Sequence, residues 1–297
     1  MRFRSTSRLV AFTVAGVGLV IAGAPPSQAA DPFVAGGRSA RTVAVAPPHV
    51  ARTLARAANL AKALDLPGVT HRTERLDDRF DHLVYDEVVA ADAAGRDVSI
   101  ARFDTDGRVV MAVDLGWRPR TGRPVGREVA VARGNEFARA AGLTVSGPPT
   151  IIASAGAGGW SVSWPRTVDG VPVLGDGVRV SLWNDGSFHA LSRSERPLAS
   201  PPIRRIPAGG ARQLAISIVA QRVGGAALDM RPVATALAWV APNDTWAPSR
   251  PDAPAATLRL AWIVRFEAGG RLADRLRSAE YWIDAGHGTL IGGDLAE

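Results

Sequence analysis

Cysteine is absent from this chain of 297 residues. Its absence excludes a disulfide framework, a thiolate zinc site, a cysteine nucleophile and a lipid anchor attached through cysteine. Burial must therefore hold the fold together, and a hydrophobic fraction of 46% supplies enough apolar side chains for that. Because a chain of this size buries roughly 70–75% of its unfolded surface when it folds, we predict a packed core.

Lysine is almost absent: Lys62 is the only one among 35 basic residues, and the others are arginine. This bias, with abundant alanine, glycine and proline, indicates GC-rich coding, so arginine alone does not indicate phosphate binding. An acid-free run of arginines within residues 118–127 follows Trp117. Nucleic-acid binding would need more such runs with interleaved aromatic residues. We interpret the run as an exposed linker, expect no nucleic-acid partner, and leave an anionic envelope polymer open as a partner.

Residues 1–30 contain three arginines, then an uncharged stretch from 9 to 24, then small residues at 27 and 29. This order predicts a secretion signal that is removed, followed by a flexible segment at 31–46. No later apolar stretch approaches the ~18–20 residues of a membrane span. We therefore expect a secreted protein, extracellular or in the cell envelope, without a membrane span after cleavage. Retention of the signal as an anchor is the alternative.

The remaining chain contains the same order of elements three times: a helical stretch, then strands and a tight turn. Apolar residues recur at helical spacing, and these stretches are 50–64, 130–141 and 211–219. Glycine-containing turns separate alternating apolar runs, which indicates hairpins; the turns are 104–107, 184–186 and 285–288. The strand at 258–267 alternates so strictly that we predict one buried and one mostly polar face.

These patterns predict an α+β fold of repeated units, each a helix with an antiparallel sheet of three to four strands. The first unit is the least well defined of the three. We place the domain boundary near Ser146, with the first unit and its following helix at 47–146 and a second domain at 147–297.

Two stretches of the sequence resemble a known family. Residues 164–173 read Trp-Pro-Arg-Thr-Val-Asp-Gly-Val-Pro-Val, and Gly-Asp-Gly follows at 175–177. This pattern resembles the FTP-type propeptide region of secreted thermolysin-like metallopeptidases. Residues 281–290, in which Tyr-Trp-Ile-Asp-Ala precedes a glycine-containing turn, resemble the PepSY domain of such propeptides. The resemblance covers roughly 159–293 and implies a PepSY or cystatin-like fold.

The resemblance also implies a domain that binds a peptidase, assists its folding and blocks its active site. In the family pattern a catalytic domain follows, whereas this chain ends at Glu297 and contains no His-Glu-x-x-His. No helix can present two of its histidines to one metal, because none stand three or four residues apart. We expect a non-enzymatic binding module that acts in trans on a secreted or wall-associated peptidase, as inhibitor or folding helper. The alternative is a structural or scaffolding protein of the envelope without a protease partner.

Isolated carboxylates have plain structural interpretations. Asp104 and Asp106 could begin a calcium loop, but Arg108 stands where further oxygen ligands should come. We predict a hairpin turn there, and the same for Asp176 and Asp185.

The adjacent carboxylates Asp86 and Glu87 would point to opposite faces of a strand, and we interpret them as solvated surface. A nucleophilic serine would need a Gly-x-Ser-x-Gly elbow, which the sequence lacks. We therefore predict no catalytic residue, no metal and no cofactor.

A proline-rich segment separates the strand ending near Trp239 from the one starting near Thr257. It has four prolines, which excludes a helix and a central strand. Loops of this length are often functional or disordered, and Trp246 in its middle is typical of a partner anchor. A lid that folds back over a strand is the alternative. We predict partner contacts at Trp246 and Trp117.

Overall fold

The structure is a computed structural model that describes residues 47–78, 83–116, 124–153, 159–223, 229–243, 257–273 and 276–296. The predicted signal segment and the predicted flexible segment at 31–46 lie outside the described residues. Trp117 and Trp246, the tryptophans predicted to contact a partner, also lie outside them. The signal, the flexible segment and the two partner contacts remain predictions.

Three α-helices occupy the positions that the apolar spacing predicts: α1 (Pro47–Leu64), α2 (Arg127–Ala140) and α3 (Ala208–Val223). The chain leaves α1 through Asp65, whose φ of 55° turns it out of the helix. Pro67 follows, and proline cannot continue a helix interior. Within the described stretches, no helix is long and apolar enough to cross a membrane.

Four strands follow each helix. After α1 come β1 (Thr70–Asp78), β2 (Leu83–Ala91), β3 (Asp97–Phe103) and β4 (Val109–Asp114). After α2 come β5 (Thr150–Ala153), β6 (Trp160–Val168), β7 (Val171–Leu182) and β8 (Phe188–Ser194). After α3 come β9 (Met230–Val240), β10 (Arg259–Ala268), β11 (Ser278–Asp284) and β12 (Leu290–Ala296). The three predicted turns connect β3 to β4, β7 to β8 and β11 to β12.

The prediction of repeated units with small separate sheets is wrong, because these strands join into one 12-stranded sheet. The main path runs β1-β2-β3-β4-β8-β7-β9-β10-β11-β12, with β6 beside β7 and β5 beside β6. β4 and β8 pair antiparallel, with Ala112 opposite Leu191. An unpaired strand edge readily accepts another strand, so two neighbouring hairpins merge instead of leaving separate edges.

β7 makes the second junction and gives the sheet its mixed character. Its C-terminal half lies between β6 and β8. Near its N-terminus, Val173 lies beside Trp239 of β9 in a parallel bridge. Gly175 and Gly177 stand between these regions with φ values of 78° and 130°. Glycines of this kind within a strand mark bulges that bend it, so β7 can change neighbours along its length.

Two principal cores lie beneath the helices. α1 and α2 pack against one face of the strands of the first half, in a cluster that includes Leu64, Ala130 and Leu191. α3 packs on β9–β11 through a separate cluster around Phe266 and Tyr281. The domain boundary near Ser146 remains a prediction.

β10 is buried on both faces, which corrects the predicted pattern of one buried face. Ala261 and Ile263 point away from α3, yet they are only 0% and 6% exposed. They pack with Leu174 and Ile291. A sequence alternation identifies two faces of a strand, but it does not identify what covers the second face.

Candidate binding groove

A groove of about 1120 Å³ lies where α1, the end of α2 and the β3–β4 turn meet β6–β8. We call it the arginine groove, after the arginines that line it: Arg56, Arg108, Arg166 and Arg193. Typical small-molecule sites occupy about 300–1000 Å³. The arginine groove therefore has room for a short stretch of polymer.

Buried apolar side chains form the floor of the arginine groove. Leu60 comes from α1, Phe103 from β3, Val109 from β4 and Trp164 from β6. Their exposed fractions are only 3–6%. Leu60 lies one helical turn after Arg56, so α1 places both on the same side of the helix. The spacing of four residues on α1 thus places the charged Arg56 next to the apolar Leu60 in the groove.

At the β3–β4 turn, Asp104 binds two of the arginines that line the groove, Arg108 and Arg193. It accepts hydrogen bonds from the backbone N–H of Arg108 at 2.8 Å and from Arg193 Nη2 at 2.5 Å. Burial alone would raise the pKa of Asp104, but these hydrogen bonds outweigh burial and hold the pKa below its usual value. The carboxylate of Asp104 therefore stabilises the turn and forms ion pairs with arginine. The described part of the chain has no group of three metal-ligating side chains.

Asp176 binds Arg166, which lines the groove from β6. The turn predicted for Asp176 is wrong, because this residue lies inside β7. Its side chain is fully buried. It accepts hydrogen bonds from Arg196 Nε at 2.6 Å, Arg166 Nη1 at 3.2 Å and Ser194 Oγ at 3.0 Å. This cluster ties β6 and β8 to the bend in β7. Asp185 does lie in the β7–β8 turn, as predicted.

Asp86 and Glu87 are buried, so their interpretation as solvated surface is wrong. Their residues are 6% and 8% exposed. Asp86 bonds to His49 Nε2 and accepts a hydrogen bond from Thr53 Oγ1 at 3.3 Å, both on α1. Glu87 points to the other face, where Arg102 Nε donates to it at 2.7 Å. Neighbours on both faces of β2 therefore bind the two carboxylates.

A second pair of carboxylates lies on β11 and β12, on the sheet face away from α3. Glu280 stands directly opposite Asp294, with Arg265 of β10 on its other side. Burial raises the pKa of Glu280, and Asp294 adds to the shift against the opposing effect of Arg265. Burial also raises the pKa of Asp294. The fold therefore favours the protonated form of each carboxyl group.

Replacing Glu280 by glutamine is expected to stabilise the protein at pH 7. Because the folded-state pKa of Glu280 is raised, its stabilising contribution is complete below the ordinary glutamate pKa of about 4.3. That contribution is lost as the pH rises through the folded-state value. Urea unfolding of Glu280→Gln should show a gain at pH 7 that vanishes below about pH 4. Glu136→Gln, at an exposed position of α2, is the control. An equal gain at both pH values would contradict the prediction.

Both ends of the proline-rich segment are fixed in the structure. Before it, Asn243 Nδ2 donates a hydrogen bond to the carbonyl oxygen of Gly293 in β12 at 2.9 Å, and Asn243 Oδ1 accepts one from the N–H of Gly293 at 3.1 Å. After it, the N–H of Leu258 donates to the carbonyl oxygen of Pro197 at 2.9 Å. Trp246 and Trp117 both lie outside the described residues, so their contacts with a partner remain predictions.

Comparison with solved structures found similarity of fold. No protein-family model matches the chain, and no curated protein matches it. The C-terminal domain of YpeB from Bacillus megaterium is similar in structure, with a TM-score of 0.42 and 12% sequence identity. The similarity covers 85% of this chain and 98% of that domain. At this TM-score the likeness supports no inference about function.

Proposed function

We propose that this protein is a non-enzymatic binding module that engages a secreted or wall-associated peptidase in trans, as inhibitor or folding helper. The observation that carries the proposal is the arginine groove, which combines an apolar floor, a basic rim and about 1120 Å³ of space. The sequence resemblance to FTP and PepSY propeptides supports a peptidase as the partner. Secretion follows from the predicted signal segment.

The free edge of the sheet beside the groove supports a polypeptide ligand. β5 reaches the groove through Thr150, and among the described strands it pairs only with β6. Ile152 on this edge is 49% exposed. An extended peptide can add to such an edge through main-chain hydrogen bonds while its side chains fill adjoining pockets.

Two polar residues at the groove, Ser194 and Asp104, are engaged in holding the fold together. Ser194 donates its hydroxyl to Asp176, and Asp104 binds Arg108 and Arg193. A nucleophile needs a base within hydrogen-bond reach, and Ser194 is instead bonded to a carboxylate that two arginines neutralise. This arrangement favours binding over catalysis.

Capture from culture supernatant tests the proposed function. The tagged mature protein, immobilised and exposed to culture supernatant of the producing organism, should retain a peptidase identifiable by mass spectrometry. The purified peptidase should then hydrolyse casein more slowly, or refold in higher yield, when the protein is added. Retention of only envelope polymers or non-proteolytic proteins would contradict the proposal and favour the scaffolding alternative.

The proposed contact at Trp246 is tested with the same captured peptidase. Trp246→Ala should weaken binding by about 2 kcal/mol or more, as expected for an interface anchor, and leave the melting temperature nearly unchanged. A loss of stability of ~3–5 kcal/mol, as for a buried tryptophan, would show that Trp246 belongs to the core. Trp117 remains a second proposed contact.

A further inference from the structure

The arginines of the groove differ in whether a carboxylate neutralises them. Arg166 lies 3.2 Å from Asp176, and Arg193 lies 2.5 Å from Asp104. Arg108 is also paired with Asp104, at 3.2 Å. The structure gives Arg56 no hydrogen bond or ion pair within the described part of the chain. Among the described residues, Arg56 is therefore the groove arginine without a carboxylate partner.

The guanidinium of Arg56 is held in a defined place. It lies against the Cα of Gly107 in the β3–β4 turn, where a Cβ would come within 1.8 Å of Nη1. The turn needs glycine there because φ is 77°, and the missing side chain leaves space for the guanidinium. Arg56 thus stands at the mouth of the groove, one turn before Leu60 in its floor.

A second arginine that lines the groove has an N–H without an acceptor among the described residues. The Nε of Arg193 is buried without a hydrogen-bond partner in the described structure, although the Nη2 of the same side chain binds Asp104. A buried donor without an acceptor is unfavourable. A carboxylate entering the groove would meet the exposed guanidinium of Arg56 and accept hydrogen bonds from it, and hydrogen bonds between charged partners are stronger than neutral ones.

We infer that the arginine groove binds an extended peptide segment that carries an acidic side chain beside apolar ones. The carboxylate pairs with Arg56, and the apolar side chains cover Leu143, Val145 and Val178, which line the groove and are only partly buried. The inference deepens the proposed function, since it names the kind of segment that a peptidase partner presents. A small anionic molecule at Arg56 would leave the partly buried apolar lining of the groove uncovered.

A random dodecapeptide library displayed on phage provides the probe. Panning against the mature protein should enrich sequences with one aspartate or glutamate flanked by apolar residues. The selected peptide, synthesised with a fluorophore, should bind Arg56→Gln about tenfold or more weakly, as for the loss of a charge-assisted hydrogen bond. Arg52→Gln is the matched control, because Arg52 is an exposed arginine one turn earlier on α1 that does not line the groove.

A double-substitution cycle completes the test. Replacing the acidic residue of the peptide by its amide should weaken binding to the unchanged protein by a similar factor, but should have little effect on binding to Arg56→Gln. Equal losses in both proteins, no enriched peptide, or enriched peptides without acidic residues would overturn the inference. Equally tight binding of polyglutamate to Arg56→Gln and the unchanged protein would assign the groove to general polyanion attraction and also overturn it.

Failure of this inference and failure of the proposed function give different results. If a peptidase is captured with the same affinity by Arg56→Gln and by the unchanged protein, the inference fails while the proposed function stands. If the acidic peptide binds through Arg56 but the supernatant yields no peptidase, the inference stands and the proposed function fails.

Discussion

Replacing Asp176 by alanine is expected to lower the free energy of unfolding by about 3–5 kcal/mol, as is usual when one partner of a buried ion pair is removed. The carboxylate is fully buried, and the guanidinium groups of Arg166 and Arg196 are only 24% and 18% exposed. Without Asp176, two partly buried positive charges lose their common partner where β7 bends. Urea unfolding monitored by tryptophan fluorescence measures the change.

Asp106→Ala is the matched control for this substitution. Asp106 also pairs with an arginine, Arg108 at 3.3 Å, but its side chain is 71% exposed. Exposed ion pairs contribute about 0–1 kcal/mol, so stability should change little. Similar losses in the two variants would contradict the role assigned to burial at Asp176.

Replacing Gly177 by alanine is expected to cost about 3 kcal/mol or more, since a strained backbone and an overpacked contact each cost about 1–3 kcal/mol. The φ of residue 177 is 130°, and a Cβ there would lie 2.1 Å from the carbonyl oxygen of Trp164. Because the obstructing atom belongs to the backbone of β6, relief requires β6 and β7 to separate. The substitution therefore acts on the bend that lets β7 change neighbours.

Gly170→Ala distinguishes the effect of the close contact at residue 177 from the effect of a positive φ on the free energy of unfolding. Gly170 has a φ of 76°, yet no atom lies within 4 Å of where its Cβ would stand. Only the left-handed conformation opposes this change, at about 1–2 kcal/mol. Equal losses at the two positions, measured by the same urea unfolding, would show that the close approach to Trp164 has no effect.

The helices and hairpins could be predicted because their signals are local. The apolar residues of α1 recur within 18 residues, and a turn such as 184–186 lies between the strands it connects. The joining of strands into one sheet depends on edges far apart in the chain. Nothing in the alternation of β4 favours Leu191 as the neighbour of Ala112, and nothing near Val173 indicates Trp239. Local pattern therefore identified the strands but not their assembly.

The groove could not be predicted from the sequence, because its lining residues are also far apart in the chain. Its lining extends from Arg56 to Glu195, and each residue has an ordinary local role. Arginine supplies all but one of the 35 basic residues, so Arg56 does not stand out by type. The one available signal was its spacing of four residues from Leu60 on α1. Asp176 was misread because a Gly-Asp-Gly sequence is typical of a turn, whereas here the glycines bend a strand.

Hydrogen–deuterium exchange of the protein with and without the captured peptidase tests most directly whether the arginine groove is the partner surface. On binding, exchange should slow for the backbone amides of 142–147 after α2 and of 107–109 at the β3–β4 turn. These residues line the groove, and a bound segment would shield them from solvent. Unchanged exchange in both stretches, with slower exchange confined to other parts of the chain, would show that the arginine groove is not the partner surface.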